Sequence, residues 1–260
     1  MGNLLVTGGM GTLGRALVRL AAEQGWTVRA TWWRRAPNGP AEWVQADVRD
    51  AESVARAMDG VDAVIHTAYL QGGEDEWETN VVGAELVAGV AVPRRLVHLS
   101  TDVVFDGTIG HYREEDVPAP VNAYGRSKAE AELRVADAHP GATIARTSLI
   151  YGTPDGPQER LAREGRRFYV DEVRSPVHVD DLAAALLELL ALDVPGPLHV
   201  AGADDVNRFD FAVLLGADPA SIEPAQTRPE RAPDVTLDSS QAARLLTTRL
   251  RGAREVLAHG

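Results

Sequence analysis

A doubly wound α/β fold built on a parallel sheet is predicted by three features of the sequence. Short β-branched runs alternate with helical patterns through the first half of the chain, the mark of successive βαβ units. The first unit places glycines at positions 8, 11 and 14 between an apolar run and a helical pattern. No internal repeat or low-complexity stretch interrupts that order.

The elements follow in sequence. Residues 4–7 read as the first strand and 12–24 as the first helix. Residues 27–32 form the second strand and 43–46 a short third. Residues 51–58 are helical, 63–67 a buried strand, 77–90 a helix and 95–100 a strand. A polar, Pro-rich loop over 106–122 precedes a helix that starts near Tyr124. That helix ends near His139-Pro140-Gly141, residues that stop helices. Residues 143–147 are the next strand. Beyond Tyr151 the regularity weakens: 152–157 is a turn-rich hinge and 160–167 is basic and helical. A strong amphipathic helix covers 179–192, a strand 198–200, and helices 209–215, 239–246 and 251–257.

A chain of 260 residues suits one large α/β domain with a small added lobe. Hydrophobic residues at 45% and charged residues at 25% place it among soluble globular proteins. The absence of cysteine excludes disulfides and thiolate metal sites and fits a cytoplasmic setting. Met1 leads directly into the apolar Leu4-Leu5-Val6 run, so no signal peptide is expected. The most apolar stretch, residues 182–192, carries Glu188 and is too short to span a bilayer. A net charge of −12 argues against nucleic acid or an anionic membrane surface as partner. No grouping of histidine and carboxylate has metal-ligand spacing, so no metal is expected.

The Thr7–Gly14 segment has the context a dinucleotide turn requires, an apolar strand before it and a helix after it. Gly8 permits the tight turn, Gly11 lets backbone approach a pyrophosphate, and Gly14 allows close helix–sheet packing. Backbone and side chains of Met10, Thr12 and Leu13 complete this cradle, and the helix N-terminus favours phosphate. An enzyme that prefers NAD places an acid at the end of the second strand. Here Thr31-Trp32-Trp33-Arg34-Arg35 holds no acid and two arginines, whose planar forks suit a 2′-phosphate. NADP(H) is therefore favoured, with NAD(H) as the alternative. Asp47 is a candidate partner for the adenine amino group, with Val48 beside it. Thr67 and the small Ala68 let the adenosine ribose lie close to the sheet. The expected architecture is a Rossmann domain over residues 1–151 and a substrate lobe over 152–260. Residues 177–201 return to the first domain, and the lobe covers the carboxyl edge of the sheet.

Tyr124-Gly-Arg-Ser-Lys128 sets a phenol and an ammonium one helical turn apart on one face. An unperturbed phenol, with a pKa of roughly 10, is a poor acid at neutral pH. A neighbouring cation stabilises the phenolate and makes proton donation to a carbonyl oxygen feasible. Ser100 and Thr101, at the carboxyl end of the preceding strand, supply hydroxyls for the same oxygen. The pattern thus describes carbonyl reduction by hydride from a nicotinamide.

These segments resemble the extended short-chain dehydrogenase/reductases, and within them the dTDP-4-dehydrorhamnose reductase group. The resemblance rests on the Thr7–Gly14 turn, the run Ser100-Thr101-Asp102-Val103-Val104-Phe105-Asp106-Gly107, and Tyr124 with Lys128. Residues 146–152 and 176–182 match as well, and Arg228-Pro229 with Leu237-Asp238-Ser239 echoes the group's C-terminal end. It implies Thr101, Tyr124 and Lys128 as catalytic residues, with Tyr124 and Lys128 also contacting the cofactor, Lys128 at the nicotinamide ribose, and a nucleotide-linked 4-keto sugar as substrate. Asp102, Tyr69, Ser148 and Arg174 are the implied substrate contacts. A homodimer through the helices carrying Trp77 and Tyr124 is also implied. The group usually has Tyr where this chain has Val103, and often Trp where it has Leu149. Related dehydratases carry an Asp-Glu pair after the Thr; Val103 cannot move a proton, so dehydration is not expected. Two other functions fit the same motifs: a non-catalytic dinucleotide-binding partner subunit, and an epimerase that retains NAD. His66 and His98 fall on core strands and are expected as satisfied structural residues. His178 is placed to approach the site, and Asn80 either anchors a proton-relay water or caps backbone.

Overall fold

The computed structural model describes residues 2–34, 37 and 39–258. Its chain runs through β1 (Asn3–Thr7), α1 (Thr12–Glu23), β2 (Thr27–Trp32), β3 (Glu42–Gln45), α2 (Ala51–Ala57) and β4 (Ala63–His66). A π-helical segment (Glu78–Val82) leads into α3 (Gly83–Ala91), followed by β5 (Arg95–Thr101), α4 (Ala123–Ala138) and β6 (Thr143–Thr147). The remainder comprises β7 (Ile150–Tyr151), α5 (Pro157–Glu164), β8 (Arg167–Tyr169), β9 (Val173–Arg174), β10 (Val177–His178) and α6 (Val179–Leu189). It closes with β11 (Gly196–His199), β12 (Val206–Asn207), α7 (Arg208–Leu214), β13 (Glu223–Ala225), α8 (Ser240–Leu245) and α9 (Ala253–Leu257).

Seven strands form one sheet in the order β11-β6-β5-β4-β1-β2-β3. Pairings β1–β2, β1–β4, β2–β3 and β4–β5 are all parallel. Strand order reverses between β1 and β4, which makes their carboxyl ends, Thr7 and His66, the topological switch point. This is the doubly wound fold expected from the sequence. Two compact units divide the chain. The first is Met1–Ser100, Ser127–Ala145 and Leu186–Pro197; the second is Thr101–Arg126, Arg146–Ala185 and Leu198–Gly260.

The first unit is held by an apolar core. Helix α1 turns Leu13, Ala16, Leu17, Val18 and Ala21 inward, the one-sided stripe of an amphipathic helix. On another face Val54, Met58, Val64, Val87, Leu96, Ala131, Val135 and Ile144 pack as one cluster. Asp50 caps α2 by accepting from Glu52 N. The π-helical segment interrupts the helix expected over 77–90. It carries Asn80, whose buried side chain bonds Leu70 and Ser127.

The second unit carries smaller clusters, one around Ala162, Phe168, Ala212 and Ile222 and one around Tyr151, Val206, Phe211 and Ala253. The helix expected over 160–167 begins and ends earlier. Pro157 at its first turn starts it. Gly165 has extended backbone, φ −70° and ψ 147°, which ends the helix, and the chain enters β8 instead. Among the described residues no helix is long and apolar enough to cross a membrane.

Candidate active site

The turn after β1 is built for backbone approach. Gly8 has φ +68°, and a Cβ there would stand 2.8 Å from Ala68 N. A Cβ at Gly14 would lie 2.3 Å from the Gly8 carbonyl oxygen, so α1 can seat against the turn only through glycine. Gly11 caps α1 without any side-chain bond to the first amides, and no acidic residue stands in the first turn. Met10 and Thr12 are partly exposed at this mouth, whereas the Leu13 side chain is buried and offers only backbone. Thr7 joins the two strands of the switch point. Its Oγ1 accepts from Thr67 N at 3.2 Å, and Thr67 Oγ1 donates to the Thr7 carbonyl oxygen at 2.7 Å. A Cβ at Gly8 or Gly14 would collide with backbone, the turn's own amides at Gly8, Gly9 and Gly11 hold the turn together, and the N-terminus of α1 faces a cradle that fits the pyrophosphate of a dinucleotide.

The adenosine side is more heavily committed than the sequence suggested. Asp47 accepts from Arg49 through backbone N at 3.0 Å and through the guanidinium at 2.7–3.1 Å. That hydrogen bonding holds its carboxyl below the usual range. Arg49 also pairs with Asp75 at 2.8 Å, and the exposed Arg34 reaches the same carboxylate at 3.7 Å. Arg35 lies outside the described residues. Val48 is buried and fixes Gly83, where a Cβ would meet Val48 Cγ2 at 2.8 Å. Tyr69 is exposed, next to the half-buried Ala68.

Lys128, on α4, is buried. Its Nζ donates to the Leu99 carbonyl oxygen at 2.8 Å and lies 3.2 Å from His98 Nε2. Burial brings the amine down to about 8, partly countered by Glu132. Ser100 is turned away from this chemistry: it is buried and donates to Glu132. Asn80 is fully spent, donating to Leu70 O at 2.8 Å and Ser127 Oγ at 2.9 Å while accepting from Leu70 N at 2.8 Å. It therefore pins the loop after β4 to α4. His66 and His98 are buried as expected, yet His66 Nε2 and His98 Nδ1 have no hydrogen-bond partner.

In the second unit, Thr101 ends β5 and a turn follows it, while Tyr124 stands in the first turn of α4. That turn, Asp102–Val104, is a 3₁₀ helix capped by Thr101 Oγ1, which accepts from Val103 N. Asn122 Oδ1 accepts from Gly125 N at 2.8 Å and starts α4 one residue before Tyr124. Tyr124 is half-buried. Thr101 Oγ1 also donates to Asp102 Oδ1 at 3.1 Å.

Asp102, Ser148 and Arg174 form one buried network. Ser148 Oγ donates to Asp102 Oδ2 at 2.6 Å, and Arg174 Nε lies 3.9 Å from the same oxygen. Burial raises the Asp102 carboxyl and Arg174 opposes the rise. Arg174 spends its remaining donors on the carbonyls of Val173, Ala232 and Pro233, and it pairs with Glu172 at 3.7 Å. The guanidinium thus braces the loop under Asp102. His178 packs on Tyr151, ring centroids 5.5 Å apart, and accepts from Asp180 N.

The parallel sheet with its glycine cradle, and the helix carrying Tyr124 and Lys128, define an extended short-chain dehydrogenase/reductase, a class of NAD(P)-dependent oxidoreductases. The family model described as RmlD substrate binding domain matches residues 2–259, and the chain belongs to that family. The dTDP-4-dehydrorhamnose reductase of Mycolicibacterium smegmatis is 36% identical over 283 residues, covering 98% of this chain and 83% of that protein. The methionine adenosyltransferase 2 subunit beta of Rattus norvegicus is 27% identical, covering 87% and 74%. A crystal structure of dTDP-4-dehydrorhamnose reductase from Bacillus anthracis, in complex with NADP, superposes with a TM-score of 0.83. It is 22% identical and covers 99% of this chain and 98% of that one, a likeness of fold.

Proposed function

We propose that this protein reduces the keto group of a nucleotide-linked sugar, using NADPH. The observation that carries the reading is the placement of Lys128. It is the only lysine in the sequence, the other 25 of its 26 basic Lys and Arg residues being arginine. It is buried on α4 one turn after Tyr124. A buried amine of lowered basicity is costly to fold around, and a phenol that must shed a proton gives it a purpose.

The residues that hold the dinucleotide are Gly8, Gly11 and Gly14 with the first amides of α1, Thr67 and Ala68, and Arg34 at the 2′-phosphate. When bound, the reduced nicotinamide supplies the hydride. Tyr124 donates its phenolic proton to the carbonyl oxygen as that oxygen gains electrons. Lys128 stabilises the phenolate that remains. Thr101 turns its hydroxyl from Asp102 to the same oxygen, orienting the carbonyl. Asp102, held by Ser148 and Arg174, keeps Thr101 in place, and Tyr69 offers an exposed ring at the mouth. Asp47 accepts from the adenine amino group with whatever capacity Arg49 leaves it.

Similarity to the Mycolicibacterium smegmatis enzyme makes dTDP-4-dehydrorhamnose the first substrate to test. Loss of NADPH absorbance on adding it, absent in Tyr124→Phe, supports the reading. A wild-type protein that binds NADPH and consumes none with any keto sugar nucleotide refutes it. A non-catalytic partner-subunit role is the second reading, favoured by the similarity to the methionine adenosyltransferase subunit.

A further inference from the structure

Two buried histidines have no place in the reaction as written above. His66 on β4 and His98 on β5 stand opposite one another in the sheet register. Their ring centroids are 5.1 Å apart and the planes inclined by 31°. His66 Nδ1 lies 2.6 Å from Thr7 Oγ1. On the other side of the pair, Lys128 Nζ lies 3.2 Å from His98 Nε2 and 2.8 Å from the Leu99 carbonyl oxygen.

An ammonium has three N–H donors and no lone pair. Its contact with His98 is therefore a hydrogen bond only if Nε2 is bare and the ring hydrogen sits on Nδ1. We propose that His98 is a positioning residue for Lys128: its neutral Nε2 accepts one N–H of the amine while Leu99 accepts a second. The third N–H is left for the reacting groups. The inference deepens the reductase reading and rests on it. An aliphatic side chain with four rotatable bonds is costly to hold in one place, and two fixed acceptors on one strand do so.

His66 stands beside His98 as a second neutral ring. Burial, then Lys128, then His66 hold the His98 ring well below its ordinary range. Burial and then Lys128 lower His66 to about 3. The titratable groups around the amine are His98 and His66 from the sheet and Glu132 on α4, with Tyr124 one turn earlier on that helix.

Because Lys128 is the sole lysine, protein made with ¹³C-lysine carries one lysine side-chain spin system, whose Cε shift reports the charge of this amine directly. In His98→Leu the acceptor that favours the charged form is gone, so the midpoint falls by about one pH unit. With it kcat falls about tenfold or more, while KM for the sugar nucleotide stays within about twofold. His98→Gln, whose amide oxygen can accept, restores most of both. An unchanged lysine midpoint in His98→Leu overturns the proposal, as does a Gln variant that falls as far as Leu. Wild-type protein made with ¹³C-histidine supplies a further check: His98 stays neutral through the ordinary histidine range, and a His98 that titrates at the ordinary value of about 6.5 overturns the proposal. If the wild type turns over no keto sugar nucleotide, the reductase reading fails, and the lysine midpoints still decide the role of His98.

Discussion

Gly125 lies against Val103: a Cβ at position 125 would come within 2.3 Å of the Val103 carbonyl oxygen and 2.9 Å of Pro120 Cβ. This contact seats the first turn of α4 on the turn after β5 and so sets Tyr124 relative to Thr101. Gly125→Ala must move backbone, at a cost of about 1–3 kcal/mol in stability. Displacement of the phenol by about an ångström lowers kcat by on the order of 10²-fold. NADPH affinity, measured by fluorescence titration, is expected to hold. Wild-type turnover in this variant would show that the contact does not set the geometry.

Tyr124→Phe removes the proton donor and leaves the ring. A general acid contributes about 10²–10⁴-fold, and kcat is expected to fall by that factor. Thermal stability and NADPH binding should be nearly unchanged, because Tyr124 is only half-buried. Residual kcat within about threefold of wild type would remove Tyr124 from the mechanism.

The lowered basicity of Lys128 predicts an alkaline stability profile. Its folded value of about 8 lies under the ordinary value of 10.5. The unfolded chain therefore binds more protons between those values, and stability rises with pH across that window. Below about pH 8 the full penalty applies, on the order of 3 kcal/mol. Lys128→Met abolishes it. Urea titrations should find the variant ahead of wild type at pH 7, with the gap closing toward pH 10. Parallel curves for the two proteins would contradict a buried, shifted amine.

Cofactor choice is expected to respond to the Arg34–Asp75–Arg49 group. Arg34→Ser removes a charge-assisted contact to the 2′-phosphate, worth about 1.5–3 kcal/mol, so the NADPH dissociation constant rises roughly tenfold or more. NADH binding should change by less than about twofold. Asp75→Asn releases Arg34, while Asp47 still holds Arg49, and is expected to tighten NADPH. Equal effects on the two cofactors would place the phosphate elsewhere.

Arg174 neutralises two buried carboxylates, Asp102 and Glu172. Arg174→Met leaves them without their shared cation, although Arg231 still pairs with Glu172. The expected loss is about 3–5 kcal/mol in chemical denaturation. Asp102→Asn in the same background should recover part of it. A loss under about 1 kcal/mol would mean that Arg174 is spare for substrate after all.

The alternation of apolar runs with helical stripes, the glycines at 8, 11 and 14, and the Tyr124–Lys128 spacing were all readable along the chain. Each is a local pattern whose period or offset is set by backbone geometry, so the fold class and the glycine turn after the first strand followed from it, whereas the strand order did not. Tertiary structure alone decided which polar groups remain available. Asn80 is spent on Leu70 and Ser127, and Ser100 on Glu132. Asp102, Ser148 and Arg174 neutralise one another across 46 and 72 positions of sequence. Two-residue strands such as β9 and β12 carry no alternation to read, and they exist only because distant segments meet. A side chain's type and spacing are written locally, whereas the partner that satisfies it is chosen by three-dimensional proximity, to which linear order gives no key.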